Sequence, residues 1–131
     1  VGKGTVLVVD DEESVRMVTA EVLRVSGYEV LTAENGRRAL DVFRELGSRI
    51  DAVLLDLTMP DMTGEDTLRA IRDMREDARV VLMTGYTEDE VRLRFVRGEL
   101  AGFLTKPFVR DELVRAVAGA VESTSRGALA G

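Results

Sequence analysis

The spacing of apolar residues alternates along this chain between two periods. Short runs that are apolar or β-branched at nearly every position fall at residues 5–9, 29–32, 52–55, 79–83 and 102–105. Runs of that length read as strands, and the lack of alternation marks several as buried on both faces. Helical stripes lie between them. Val15, Val18, Val22 and Val25 recur at intervals of three and four, as do Leu40, Phe43 and Leu46, and Leu68, Ile71 and Met74. Val91 with Phe95 predicts a fourth helix, and Leu113, Val117 and Val121 predict a fifth, within a strongly helix-forming run over 112–123.

The punctuation agrees with these elements. Gly27 stands where a helix C-terminus needs a residue free to adopt positive φ. Asn35-Gly36 and Gly47-Ser48 bracket the second helix. Thr87 with Glu90 three positions on has the form of a capping box. The resulting order, βαβαβαβαβα without repeats or an internal linker, predicts an α/β fold with a parallel sheet covered by helices on both faces.

Length fits this picture: 131 residues make one domain with room for a core. The domain is expected over 5–123, with 1–4 and 124–131 as loose ends or linker stubs. Val rather than Met at position 1 suggests a fragment or a processed chain. No apolar stretch approaches the roughly 18 residues that span a bilayer, and no signal peptide is evident, so a cytoplasmic location is expected.

Composition removes several kinds of chemistry. There is no cysteine, which excludes disulfides, thiolate catalysis and thiolate-bound zinc. There is no histidine, so the chain has no phosphohistidine, imidazole base or imidazole metal ligand of its own and is not itself a histidine kinase. A net charge of −6 argues against nucleic acid or an anionic membrane as a direct partner.

Four strand ends carry reactive polar groups. Asp10-Asp11 follows the first strand, Asp56 the third, Thr84 the fourth and Lys106 the fifth. The carboxyl edge of an open parallel sheet is where such folds bind ligands. The run Asp10-Asp11-Glu12-Glu13 reads equally as an acidic helix start favoured by the macrodipole and as part of a divalent-cation site. Mg²⁺ takes oxygen ligands and uses one or two carboxylates together with a phosphate, which Asp10, Asp11 and Asp56 could supply. Asp56 closes the apolar run Ala52-Val53-Leu54-Leu55, where a charge is costly without a cation beside it. Lys106 suits phosphate as a compact cation, and Lys106-Pro107 is a candidate cis peptide that would set its direction. Thr84-Gly85 is a weak signal alone. A carboxylate nucleophile, a cation site, a hydroxyl and a fixed ammonium suit phosphoryl transfer to an aspartate.

These motifs, Val-Val-Asp10-Asp11-Glu12, Leu-Leu-Asp56-Leu-Thr-Met-Pro60-Asp61-Met-Thr-Gly64, Met-Thr84-Gly-Tyr and Phe103-Leu-Thr-Lys106-Pro107-Phe108, together resemble the response-regulator receiver domain of two-component signalling. The resemblance implies a flavodoxin-like sheet of order 2-1-3-4-5 with five helices. It implies that Asp56 accepts a phosphoryl group from the phosphohistidine of a histidine kinase or a histidine phosphotransfer domain. Asp11 and Asp56 would ligate Mg²⁺ directly, Asp10 through water, and the main-chain carbonyl of Thr58 would complete the protein ligands, with Mn²⁺ as a substitute metal. Lys106 would pair with the phosphoryl oxygens, Thr84 would hydrogen-bond to them, and Phe103 would be the switch aromatic. An output or partner domain would read the face built by the fourth helix, fifth strand and fifth helix. Such a domain catalyses its own phosphorylation and dephosphorylation.

Two departures from the family pattern stand out. Gly98-Glu99-Leu100-Ala101-Gly102 precedes Phe103 where many receivers have Gly-Ala, and with Thr84-Gly85-Tyr86 this is similar to receivers attached to hybrid sensor kinases. Phe103 lacks the hydroxyl of the commoner tyrosine. Thr58 and Tyr86, two residues after Asp56 and Thr84, are expected to flank the path of water to the phosphoryl group. Two alternatives compete with this reading. One is a Mg²⁺-dependent aspartyl phosphohydrolase, which usually carries a first-strand Asp-x-Asp that is absent here. The other is a degenerate receiver kept as a protein-binding module, which the complete set of polar residues argues against.

Overall fold

The computed structural model describes residues 3–57, 59, 62–95 and 100–130; of residues 88, 92, 94 and 123–130 it describes the backbone alone. Five parallel strands form one sheet: β1 (Thr5–Val9), β2 (Glu29–Ala33), β3 (Ala52–Asp56), β4 (Val80–Thr84) and β5 (Gly102–Thr105). Their order is β2-β1-β3-β4-β5, the flavodoxin-like order expected from the sequence. The helices are α1 (Glu13–Val25), α2 (Gly36–Leu46), α3 (Gly64–Met74), α4 (Glu88–Arg94) and α5 (Arg110–Ala130), with a short 3₁₀ turn, η1 (Gly47–Arg49), after α2.

Two apolar layers clamp the sheet. Val6, Val8, Leu54, Val81 and Met83 face one layer with Leu23 of α1 and Leu113, Val117 and Val121 of α5. Leu7, Val9, Val53, Leu55 and Val80 face the other with Phe43 of α2 and Leu68 and Ile71 of α3. β1, β3 and β4 are buried at every position, which is why their sequences show no polar alternation.

The caps form where the turn chemistry pointed. Asn35 accepts from the Arg38 N–H at 2.7 Å, and Gly27 takes a φ of +105° just past the end of α1. Thr87 accepts from the Glu90 N–H at 3.3 Å while its hydroxyl meets the Glu90 carboxylate at 3.2 Å.

The face of α1 differs from expectation. The buried residues are Thr19, Ala20 and Leu23, while Val18 and Val25 are 64% and 66% exposed. At about 100° per residue, the valine stripe is rotated by about a third of a turn from the side that packs on the sheet. Packing selected small Ala20 and β-branched Thr19 for close approach to the strands, against the simple count of valines. Met74, at the end of the α3 stripe, is likewise 39% exposed. β2 and β3 each run one residue past the expected 29–32 and 52–55, and β4 is shifted one residue on from 79–83, so that Asp56 and Thr84 are the last residues of their strands. α5 continues past Ser123 to Ala130, through a stretch expected to be loose; its alanines and leucine are good helix formers.

Candidate functional site

Strand register brings the polar residues together. Val9 pairs level with Leu55, so Asp10 emerges level with Asp56. Asp56 is level with Met83, which places Thr84 one step further along the same edge. Thr84 is level with Thr105, and Lys106 follows directly. Residues separated by up to 96 positions thus meet at the carboxyl edge of four adjacent strands.

Asp10 is fully buried and held on every polar group. Its N–H donates to the Ala33 carbonyl at 3.2 Å. Its Oδ1 accepts from the Glu12 N–H at 2.9 Å and its Oδ2 from Lys106 Nζ at 3.0 Å. Its main-chain carbonyl accepts from Arg16 Nη1 at 2.9 Å. The local helix-start role and the site role therefore coexist in one side chain. Asp56 is 6% exposed, and its Oδ2 lies 3.6 Å from Lys106 Nζ. Asp11 is exposed, at the mouth of the site. One carboxylate oxygen from each of Asp10, Asp11 and Asp56 falls within 4.8 Å of the others.

That spacing fits a single hard cation. Three mutually repelling carboxylates, two of them buried, have one ammonium ion-paired with them among the described residues. A divalent ion held by these oxygens would offset the remaining charge. Thr58, whose main-chain carbonyl was expected to join the ligands, lies outside the described residues, as do Pro60 and Asp61.

Lys106 is held protonated. Burial pulls its pKa down, but the hydrogen bond to Asp10 and the fields of Asp56, Asp10 and Glu12 outweigh burial, and the net shift is upward. The Lys106–Pro107 peptide is cis. Thr84 is buried, and its Oγ1 accepts from the Tyr86 N–H at 2.9 Å, which leaves the hydroxyl proton free to donate. Its carbonyl accepts from the Lys106 N–H at 2.6 Å, tying the β4 and β5 ends together. Phe103 is half-buried against a small cluster of Leu57, Leu82 and Val91, which links β3 and β4 to α4. Tyr86 is 37% exposed beside Thr84.

The loop after Asp56 returns close to the strand. The Gly64 N–H donates to the Leu57 carbonyl at 2.9 Å, and a Cβ on Gly64 would stand 2.6 Å from Leu57 Cα. Only glycine allows α3 to begin so near the site. Arg16 was not singled out from sequence; an arginine in the second turn of a helix has no distinguishing pattern until its carbonyl partner is seen.

A family model for the response regulator receiver domain matches residues 6–118, and the chain belongs to that family. It is a receiver domain of two-component signalling. It is 38% identical over 116 residues to the sensor kinase CckA of Brucella abortus, an alignment covering 88% of this chain but only 12% of that kinase. It is 38% identical over 113 residues to sporulation initiation phosphotransferase F of Bacillus subtilis, covering 86% of this chain and 89% of that protein. Among solved structures, the response regulator TrrA of Thermotoga maritima in complex with Mg²⁺–BeF is similar, with 35% identity and a TM-score of 0.78 over 89% of this chain and 98% of that one. Among the described residues, no helix is long and apolar enough to cross a membrane.

Proposed function

We propose that Asp56 is the phosphoacceptor, taking a phosphoryl group from a partner's phosphohistidine in a Mg²⁺-dependent reaction. The observation that carries this reading is the convergence of Asp10, Asp11 and Asp56 within 4.8 Å, with Lys106 bridging two of them. Asp56 attacks phosphorus through a carboxylate oxygen while the bond to the donor nitrogen breaks, leaving an acyl phosphate. Asp11 and Asp56 directly, and Asp10 through water, would hold Mg²⁺, or Mn²⁺ in its place, which would neutralise phosphoryl oxygens. Lys106 supplies a second positive charge on the β5 side. Positioning and charge neutralisation carry most of the rate in such transfers.

The acyl phosphate adds about −1 to −2 charge at the end of β3. Thr84 turns its free hydroxyl proton toward the new oxygens, and the bond its Oγ1 accepts from Tyr86 ties that motion to the loop before α4. Phe103, half-buried beside Val91 of α4, repacks with it. The α4–β5–α5 face is the surface a partner or output domain reads, and Leu93 on α4 is 88% exposed. This is a population shift between two packings, biased by contacts made only when Asp56 is modified. The phosphodonor is a histidine kinase or a histidine phosphotransfer domain, and the similarity to a sensor kinase supports an origin in a hybrid kinase. The working location is cytoplasmic.

The test uses acetyl phosphate as donor and intact mass as readout. One phosphoryl mass is expected with Mg²⁺ and none when the metal is chelated. Labelling that is equal with and without Mg²⁺ would overturn the cation's role.

Tyr86 sets the lifetime of the modified state by limiting access. Hydrolysis needs water in line with the Asp56–phosphorus bond, and Tyr86, 37% exposed as a residue, follows Thr84 by two positions at the same sheet edge. Tyr86→Ala is expected to speed loss of phosphate, followed by intact mass after donor removal. An unchanged or slower decay contradicts a shielding role.

A further inference from the structure

Asp11 is the exposed member of the carboxylate set, on a loop between β1 and α1, yet its oxygen converges with those of Asp10 and Asp56. Something must orient the backbone that carries it. The Asp10–Asp11 peptide is planar, so fixing its carbonyl also fixes the Asp11 N–H and the direction in which the Asp11 Cα lies. The carbonyl is held by Arg16 Nη1 at 2.9 Å. Asp10's N–H and Oδ2 bonds act on the near side of that peptide, and the bond from the Glu12 N–H to Oδ1 spans Asp11 from its far side, so the Arg16 bond is the one that acts on the peptide carbonyl itself.

We propose that Arg16 is a positioning residue for the cation site, acting through the Asp10 carbonyl to aim Asp11. Arg16 is half-buried in α1, so the sheet-anchored helix serves as its rigid support. Its hydrogen bond goes to a main-chain carbonyl and not to one of the three carboxylates that would hold the cation. This inference rests on the Mg²⁺ reading above and adds a residue to it.

Charge and geometry predict opposite signs for removing Arg16. A guanidinium near a cation site repels the cation, so if charge were its only influence, removal would tighten Mg²⁺ binding. If it orients Asp11, removal weakens binding, by about tenfold on the scale of groups that orient metal ligands. Arg24 is the internal control. It lies on the same helix and also donates to a main-chain carbonyl, that of Val30 at 3.3 Å, but away from the site.

The experiment titrates Mg²⁺ alone, without phosphodonor, into the wild type, Arg16→Met, Arg16→Gln and Arg24→Met, following amide resonances of Asp11 and Asp56. The dissociation constant is expected to rise about tenfold in both Arg16 variants and to stay within twofold in Arg24→Met. Should Arg16→Met fail to fold, Arg16→Gln decides. Unchanged or tighter binding in a folded Arg16 variant overturns the proposal, as does an equal loss in Arg24→Met. A wild type that shows no Mg²⁺ binding overturns the cation reading itself, an outcome separate from the failure of Arg16.

Discussion

Asp56→Asn is expected to take up no measurable phosphoryl group from acetyl phosphate and Mg²⁺ under conditions that label the wild type. The amide keeps the shape of the carboxylate and removes the nucleophile. The neighbouring carboxylates are poor replacements. Both oxygens of Asp10 are committed, one to the Glu12 N–H and one to Lys106. Asp11 lies at the exposed mouth, away from the Lys106 contacts. The initial labelling rate should fall by at least about 10²-fold, since losing a nucleophile leaves only binding and electrostatics. The fold should not suffer. With three carboxylates within 4.8 Å, neutralising one relieves repulsion, so the unfolding temperature in metal-free buffer should hold or rise. A variant that labels at the wild-type rate contradicts the assignment, and one that melts several degrees lower contradicts the electrostatic account.

Lys106→Ala is expected to remain folded and to accept phosphate, but to lose the link between phosphorylation and the α4–β5 face. Its Nζ reaches Asp10 and Asp56 at 3.0 and 3.6 Å, so its removal takes away the ammonium that is ion-paired with both buried carboxylates among the described residues. The variant should be less stable than the wild type at neutral pH, and Mg²⁺ should restore part of the loss. The pH dependence has a definite sign. The Lys106 pKa is raised in the folded state, so its contribution is complete below the ordinary lysine value of 10.5 and fades only as pH climbs through the higher folded value. The stability gap between wild type and variant should therefore be constant across neutral pH and narrow only in strong alkali. After phosphorylation, amide resonances near Phe103 should stay at their unmodified positions in Lys106→Ala and move in the wild type. A wild-type shift in the variant would remove Lys106 from the coupling.

The fold was legible because β1, β3 and β4 are buried at every position and leave an unbroken apolar signature, while Gly27, Asn35 and Thr87 mark the helix ends through backbone demands that few residues meet. The convergence of the candidate site residues was legible for a related reason. A charged or hydroxylic residue closing such a strand is conspicuous, and parallel register carries Asp10, Asp56, Thr84 and Lys106 to one edge. The facing of α1 was not legible. Four valines at helical spacing outweighed Thr19 and Ala20 in a count of hydrophobicity, but close packing rewards fit as well as transfer from water. Arg16 escaped notice because its role runs through a main-chain carbonyl, which leaves no trace in residue type.

The most direct measurement locates the phosphoryl group on the wild-type chain. Labelled protein is reduced with borohydride, which converts an aspartyl phosphate to homoserine, then cleaved with trypsin and sequenced by mass spectrometry. Arg49 and Arg69 bound the tryptic peptide 50–69, which contains Asp56, whereas Asp10 and Asp11 fall in the separate peptide 4–16. The account predicts homoserine at position 56 alone. Homoserine at position 10 or 11, or at any other aspartate with position 56 unchanged, would contradict it.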